Sequence, residues 1–307
     1  MSEPTNTIAS TAARLTTTAL INPFAPFDVA LEAALHTNVA QALDEDVGSG
    51  DLTGLLVPQL EWVQARVLVR EAAILCGAPW FEAVMARLDS SIRIDWQYAE
   101  GDRMRADTPV CLIDAPARAL LTAERCALNF LQLLSGVATA TRRYVDVIEG
   151  TAAVILDTRK TLPGMRLAQK YAVRVGGGSN QRLALYDGIL IKENHITAAG
   201  GIAAAMQQAH SINADVSIQI EVETIAQLTE ALRAGATSIL LDNFSLNLMR
   251  EAVTISAGMA LLEASGGVNL MTVRAIAETG VDRISIGSLT KDIDATDYSL
   301  RIIGRAH

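Results

Sequence analysis

Two adjacent cations, Arg159 and Lys160, follow a short apolar run in the middle of the chain. The run 153–156 (AVIL) has the composition of a buried strand, and only Asp157 and Thr158 separate it from the cations. A Pro-Gly turn comes shortly afterwards. Because guanidinium and ammonium groups bind carboxylates and phosphates, two of them at the mouth of a buried strand indicate an anion-binding site.

Five more apolar, β-branched runs end in charged or small residues. In chain order they lead into Lys192, Glu221 with Glu223, Asp242, the stretch 263–267 (EASGG), and Gly287 with Ser288. Any one of these residues, taken alone, is more simply a solvated loop charge or a turn former. Six such ends in succession predict a single site.

The elements that must position these residues have a regular spacing. Apolar runs occur at 153–156, 188–191, 216–222, 237–241, 259–262 and 281–286, and Ala/Leu-rich segments at helical spacing, such as 199–210 and 225–234, lie between them. The later intervals are about 21 residues, which is what one strand, one helix and two short loops require. This alternation predicts parallel strands with crossover helices. Six or so βα units favour a closed or nearly closed TIM-like α/β barrel, whose active site lies at the carboxyl ends of the strands. A dinucleotide-binding sheet is disfavoured because no GxGxxG follows the first strand.

The first half of the chain predicts a second, smaller domain. A helix is expected around 28–44, strands at 63–70, 92–98 and 110–114, and a long helix over 117–149. These elements suggest an α/β sandwich. The expected division is a flexible N-terminal arm over 1–25, the sandwich over 26–130 together with the tail 290–307, and the barrel over 131–289.

Composition excludes several classes of protein. The chain has 307 residues and a formal net charge of −9, which leaves no basic excess for general nucleic-acid binding. Its three cysteines lack metal-type spacing and read as buried thiols of a reducing compartment. No apolar run approaches the roughly 20 residues that span a membrane, and the N-terminal stretch lacks the core of a signal peptide. Cytoplasm is therefore the expected location.

The acidic strand ends suggest a metal. Gln219, Glu221 and Glu223 alternate, which predicts that they share one face of their strand. With Asp242 they offer oxygen ligands of the kind that Mg²⁺ takes, usually together with substrate phosphates. The alternative for either glutamate is a buried ion pair with Lys192.

The small residues suggest phosphate binding. The stretch 265–267 (SGG) and the pair Gly287-Ser288 present backbone amides where the last βα loops of barrels cradle phosphate. Arg159, Lys160, Arg182 and Lys192 would then face further anionic groups. Together these residues predict an enzyme that binds a phosphorylated, Mg²⁺-bound substrate and a partner that carries carboxylates.

The motifs of the chain, in their order, resemble those of the quinolinate phosphoribosyltransferase family. The resemblance covers nearly everything from about residue 28 to the end. It is carried by 45–53 (EDVGSGDLT), 124–129 (ERCALN), 157–164 (DTRKTLPG), 170–172 (KYA), 176–178 (GGG), 191–195 (IKENH), 221–223 (EVE), 241–244 (LDNF) and 263–267 (EASGG).

The resemblance implies a reaction. Phosphoribosyl pyrophosphate and quinolinate would give nicotinate mononucleotide, pyrophosphate and carbon dioxide, with Mg²⁺ required, in NAD biosynthesis. It also implies a homodimer, or a larger assembly of dimers, in which Arg125 reaches the active site of the other subunit.

The resemblance also implies roles for individual residues. Thr158, Arg159, Lys160, Arg182 and Lys192 are implied to bind the carboxylates of quinolinate or neighbouring phosphates. Glu223 and Asp242 are implied as acids near the ribose and Mg²⁺, and Gln181 and Glu221 are additional substrate-binding candidates. The implied phosphate cradle is Ser265, Gly266, Gly267, Gly287 and Ser288.

One position departs from the family pattern. Gln181 stands where the family usually has His, and an amide can donate a hydrogen bond to a carboxylate but cannot carry a charge. The departure bears on the strength and pH dependence of quinolinate binding more than on the reaction. His195 is a poor replacement, because it lies on a different βα loop.

Three alternatives stay open at this point. A related phosphoribosyltransferase could act on another aromatic acid, such as nicotinate. A sugar-phosphate aldolase would use Lys192 for a Schiff base. A non-catalytic anion-binding barrel would bind phosphoribosyl pyrophosphate without consuming it.

Overall fold

The computed structural model describes residues 18–58, 61–212 and 215–305. Most of the arm expected over 1–25 lies outside these residues. Its last part, from residue 18, contacts the N-terminal domain: the amide of Thr18 donates to Asp95 Oδ1 at 2.8 Å, and the Glu100 amide donates to the Ile21 carbonyl at 2.9 Å.

The N-terminal domain is an antiparallel sheet covered by helices. Its elements are α1 (Val29–Asp46), a 3₁₀ turn (Gly54–Leu56), β1 (Trp62–Val69), β2 (Ala73–Ile74), α2 (Ala78–Leu88), β3 (Arg93–Trp96), β4 (Arg103–Met104), β5 (Thr108–Pro116) and α3 (Ala117–Val147). Helix α1 begins at Asp28, whose carboxylate accepts the Leu31 amide at 2.8 Å, as an N-cap should.

The second domain is built on parallel strands. Its elements are β6 (Val154–Leu156), α4 (Arg166–Val175), β7 (Gly188–Ile191), α5 (Glu193–Ala199), α6 (Ile202–Ser211), β8 (Ser217–Val222), α7 (Ile225–Arg233), β9 (Ser238–Asp242), α8 (Leu246–Ser256), β10 (Leu261–Ser265), α9 (Val273–Ala277), β11 (Arg283–Ser285) and α10 (Ser288–Lys291). The last strand, β12 (Tyr298–Arg305), leaves this domain and pairs antiparallel with β1.

Two large sheets organise the chain, and a short third sheet pairs β2 with β4. The N-terminal sheet has the order β12-β1-β5-β3, and the parallel sheet has the order β6-β11-β10-β9-β8-β7. Along the chain β6 is the first strand of the parallel sheet and β11 the last, and these two pair with each other. The sheet therefore curls into a barrel whose seam lies between β6 and β7. Residue Ser179, which follows α4, bridges to Leu156 on the edge strand β6. The predicted barrel architecture is therefore confirmed.

One predicted strand is displaced along the chain. The apolar run 259–262 was expected to be the fifth strand, but β10 spans Leu261–Ser265. The shift matters because it puts Glu263 inside the barrel, where it is only 2% exposed, instead of at a strand end.

Within the described residues, none of the helices combines the length and the apolar composition needed to cross a membrane.

Candidate active site

A cavity of about 710 Å³ opens at the carboxyl ends of the barrel strands. Its lining includes most of the residues that the sequence predicted for the site. They are Thr158, Arg159, Lys160, Gln181, Arg182, Lys192, Glu221, Asp242, Ser265, Gly266, Gly267, Gly287 and Ser288. Every strand of the parallel sheet contributes, either by its last residues or by the loop that follows, so the convergence is a property of the barrel.

Two arginines, Arg159 and Arg182, line the same cavity, and the charge of one acts on the other. The guanidinium of Arg182 donates to the Gly188 carbonyl at 2.8 Å, which holds it at the seam of the barrel. Burial, and then the nearby charge of Arg159, lower the pKa of Arg182. The Nε of Arg159 is buried without a hydrogen-bond partner among the described residues. Two guanidinium groups in this arrangement favour a bound anion, because an anion would relieve both their repulsion and the unmet donor.

Lys192 forms an ion pair with Glu221, as the alternative to metal binding predicted, but the lysine end of the pair is not buried. Its Nζ lies 2.8 Å from Glu221 Oε2, with the Lys192 side chain 46% exposed and the Glu221 side chain 10% exposed. The backbone amide of Lys192 donates to His195 Nδ1 at 2.9 Å. The imidazole therefore caps the start of α5, which accounts for His195 without a role in the cavity.

The three alternating side chains of β8 reach different environments. Gln219 is buried in the barrel, and Glu221 lines the cavity. Strand β8 ends at Val222, so Glu223 lies beyond it; this residue is exposed, and its amide donates to Gln227 Oε1 at 2.7 Å. Period-two alternation holds only while the strand continues, and Glu223 is not part of the cavity lining.

Asp242 is the acid at the end of β9 that reaches the cavity. Its Oδ2 accepts a hydrogen bond from Asn243 Nδ2 at 2.9 Å, and the Asn243 amide donates to the Ser265 carbonyl at 3.0 Å. These contacts join the end of β9 to the glycine loop after β10. Within residues 18–58, 61–212 and 215–305, no three His, Cys, Asp or Glu side chains are grouped as a ready-made metal site.

Two glycines of the predicted phosphate cradle lie close to neighbouring side chains. Gly266 has φ +98°, and a Cβ there would lie 2.1 Å from Asn243 Oδ1. A Cβ on Gly287 would lie 2.9 Å from Lys160 Cδ. Since glycine lacks this atom, both loops approach their neighbours with bare backbone, as phosphate-binding loops do.

Several residues that sequence reasoning missed complete the cavity. They include Asn243, Glu263, Ser285, Lys291 and Asp292. Lys291 and Asp292 form an ion pair with each other at the end of α10. The sequence signal for these two residues was that they form an oppositely charged pair shortly after the stretch 286–288 (IGS). Glu263 belongs to the stretch 263–267 that the sequence placed at a strand end, but no role was predicted for it; β10 begins two residues later than predicted, which buries Glu263 inside the barrel.

Below the cavity floor, Asp157 and Lys170 are both buried, at 0% and 4% exposure. The Asp157 carboxylate accepts from Lys170 Nζ at 2.6 Å, from Asn180 Nδ2 at 2.8 Å and from the Gln181 amide at 2.8 Å. Lys170 also donates to the Gln181 carbonyl at 2.8 Å. This cluster fixes the backbone of Gln181, and with it the start of the segment that carries Arg182.

Arg125 lies away from this cavity. It is exposed on α3, in the N-terminal domain, and does not line the cavity of its own chain.

A curled parallel sheet with a cavity lined by cationic side chains at its carboxyl ends, in a chain that also carries an antiparallel domain, defines an α/β barrel enzyme of the kind that acts on anionic substrates. Comparison with known proteins gives the family. Residues 51–135 match the N-terminal domain of quinolinate phosphoribosyl transferase, and residues 137–301 match its C-terminal domain. The chain belongs to this family, which confirms the resemblance seen in the motifs.

Individual relatives agree over most of the chain. A probable nicotinate-nucleotide pyrophosphorylase [carboxylating] of Bacillus subtilis is 39% identical over 84% of this chain and 90% of that protein. A nicotinate-nucleotide pyrophosphorylase [carboxylating] of Mycobacterium leprae is 38% identical over 89% of this chain and 98% of that protein. The solved structure of the nicotinate-nucleotide pyrophosphorylase from Francisella tularensis has a TM-score of 0.87 and 41% identity, and covers 94% of this chain and 100% of that one.

Proposed function

We propose that this chain transfers the phosphoribosyl group of phosphoribosyl pyrophosphate to quinolinate, with loss of carbon dioxide, to give nicotinate mononucleotide and pyrophosphate in NAD biosynthesis. The observation that carries the proposal is the cavity that joins Arg159, Lys160 and Arg182 to Asp242 and to two glycine loops. Carboxylates and phosphates both need such donors, and this cavity supplies them around one space.

Each group of residues in the cavity would then bind a different part of the two substrates. Arg159 and Arg182 would grip the carboxylates of quinolinate, because a guanidinium offers a bidentate fork. Lys160 and Lys192 would neutralise departing pyrophosphate. The loops at 265–267 and 287–288 would hold the 5′-phosphate through backbone amides. Thr158 would donate its hydroxyl to a carboxylate of quinolinate or to a neighbouring phosphate.

Departure of pyrophosphate would leave an oxocarbenium-like ribose, which the pyridine nitrogen captures. The positive charge on the ring then makes loss of the adjacent carboxylate as carbon dioxide feasible: the C–C bond breaks, its electron pair stays on the ring carbon, and this carbon takes a proton from solvent. No side-chain nucleophile is needed, so catalysis would be positioning and electrostatic preorganisation.

We propose Mg²⁺ as the cofactor. The donor set fits this ion: Asp242 and Glu221 both line the cavity from neighbouring strands, and Glu223, the other acid predicted for this role, lies outside the lining just beyond the end of β8. Mg²⁺ typically takes one or two protein carboxylates and completes its shell with phosphates and water. When bound, it would neutralise charge on the pyrophosphate.

We further propose a homodimer in which Arg125 enters the partner's cavity. Its exposed position on α3 leaves the guanidinium free to extend from the surface. A quinolinate dianion would gain a further cationic contact in this way, and the two-fold arrangement would create two equal sites.

A cytoplasmic location is also proposed, because Cys76, Cys111 and Cys126 are all buried free thiols, which suit a reducing compartment.

A direct assay tests the function. Purified protein with Mg²⁺, phosphoribosyl pyrophosphate and quinolinate should form nicotinate mononucleotide and release carbon dioxide, and nicotinate should not substitute. Equal consumption of nicotinate would overturn the carboxylating assignment. Binding of phosphoribosyl pyrophosphate without turnover would favour the non-catalytic alternative.

A further inference from the structure

Three side chains form a hydrogen-bonded chain across the barrel interior. Gln181 Nε2 donates to Gln219 Oε1 at 2.9 Å, and Gln219 Nε2 donates to Glu263 Oε2 at 2.8 Å. Gln219 and Glu263 are buried, at 6% and 2% exposure. Gln181 and Glu263 both line the cavity, so the chain begins and ends at the site.

The direction of this chain depends on the proton of Glu263. An ionised carboxylate only accepts, so each amide must turn an N–H toward it. Gln181 then offers the cavity its carbonyl oxygen and one remaining N–H. A protonated Glu263 can donate instead. Both amides can then turn over, since their oxygen and nitrogen ends have nearly the same shape, and Gln181 offers two N–H groups.

An acid substrate would favour one of these two orientations of the amides over the other. The carboxylates of quinolinate accept hydrogen bonds and would be repelled by a carbonyl oxygen at Gln181. We propose that Glu263 is a positioning residue for the acid substrate: through Gln219 it sets which end of the Gln181 amide faces the cavity, and it takes up a proton from solvent when the dicarboxylate binds. This inference rests on the proposed function. A His at position 181 would carry this proton itself. In this protein the proton is carried instead by Glu263, at the buried end of the hydrogen-bonded series of side chains.

The surroundings of Glu263 permit this proton. Its Oε1 is buried without a hydrogen-bond partner among the described residues, which disfavours the ionised form. The charged groups that act on it are Arg283 of β11, which favours ionisation, and Asp157 after β6, which opposes it. Ser285 lies on β11 beside Arg283. Arg182 and Glu263 both line the cavity, and both also line a second cavity of the barrel. Burial raises the pKa of Glu263 above its ordinary value, although hydrogen bonding from Gln219 and from Ser285 opposes the shift.

Calorimetry can count the proton. Quinolinate is titrated near neutral pH into the enzyme with Mg²⁺ and pyrophosphate, in PIPES and in Tris, whose ionisation enthalpies differ. The wild type should take up a fraction of a proton, at most one per site, and Glu263→Gln should take up none. Gln181→Met leaves Glu263 in place but cuts the chain, and should also lose the uptake; this variant carries the test if Glu263→Gln fails to fold.

The matched control is Glu82→Gln in the N-terminal domain. Burial also raises the pKa of Glu82, which accepts from Trp96 Nε1 at 2.8 Å, but it does not line the cavity. This variant should match the wild type. Binding of quinolinate with equal uptake in the wild type and Glu263→Gln, or with none in either, would overturn the inference alone. A wild type that does not bind quinolinate would overturn the proposed function with it.

Discussion

Lys170 Nζ lies 2.6 Å from Asp157 Oδ1, and both side chains are buried beneath the cavity floor. Burial disfavours charge on each: it raises the pKa of Asp157 and lowers that of Lys170, while their mutual attraction opposes both shifts. The short contact and the additional bonds from Asn180 and the Gln181 amide support the charged pair.

Breaking this pair should be costly. Lys170→Met leaves the Asp157 carboxylate buried without its cation, and should lower the free energy of unfolding by about 3–5 kcal/mol. Urea denaturation measures this. The control is Glu278→Met, which removes an exposed i,i+4 pair with Arg274 whose atoms are also 2.6 Å apart, and leaves Arg274 its hydrogen bonds to the Val147 and Glu149 carbonyls; its loss should be about 0.3–0.5 kcal/mol. Equal losses in the two variants would show that burial of the Asp157 pair has no energetic consequence.

Asp242→Ala should reduce kcat/KM at saturating Mg²⁺ by about a hundredfold or more, because the acid that we propose to hold Mg²⁺ beside the substrate phosphates is lost. The thermal unfolding midpoint should stay near that of the wild type, since Asp242 is at the cavity surface. Glu251→Ala, an exposed acid on α8, should leave both quantities unchanged. A fully active Asp242→Ala variant would remove this residue from the site.

Gly287→Ala should weaken substrate binding without unfolding the protein. The new Cβ would meet Lys160 Cδ at 2.9 Å, and that flexible side chain can move, but the phosphate then meets a methyl group. We expect KM for phosphoribosyl pyrophosphate to rise about tenfold, a loss of roughly 1.4 kcal/mol. Gly304→Ala is the control, because nothing lies within 4 Å of its Cβ position. An unchanged KM in Gly287→Ala would place the phosphate elsewhere.

Arg125→Ala and Lys160→Ala should each be nearly inactive. If Arg125 serves the partner's site, mixed dimers of the two variants contain one intact site each. Random mixing should restore roughly a quarter of wild-type activity, because about half of the dimers are mixed. Activity is measured after co-refolding of differently tagged chains. Verified mixed dimers that stay inactive would rule out the shared site.

Glu100 should make stability depend on pH. This buried carboxyl accepts from the Gly77 and Ala78 amides and from Tyr171 Oη, and burial raises its pKa to about 7. Between its unfolded and folded pKa values the folded state binds more protons, so stability is lost as the pH rises from about 4.5 to 7. The loss should be of the order of 3 kcal/mol. Glu100→Gln should lack this slope in urea unfolding measured across the range; an unchanged slope would assign it to other groups.

The sequence by itself determined the barrel and most of its site. Apolar periodicity is a local property, so the strands at 154–156 and 188–191 could be predicted within a residue. Parallel strands bring their carboxyl ends to one edge, so Arg159, Lys192 and Asp242 had to converge once the barrel was inferred.

The tertiary structure decided where strands stop and which groups pair. Strand β8 ends at Val222 and β10 begins at Leu261 because hydrogen bonds to neighbouring strands set these limits, and so Glu223 is exposed while Glu263 is buried. The partners of Asp157 and Gln181 come from α4 and β8, at separations of 13 and 38 residues. No periodic pattern encodes such contacts, because they depend on how the packed elements meet and on the need of each buried polar group for a partner.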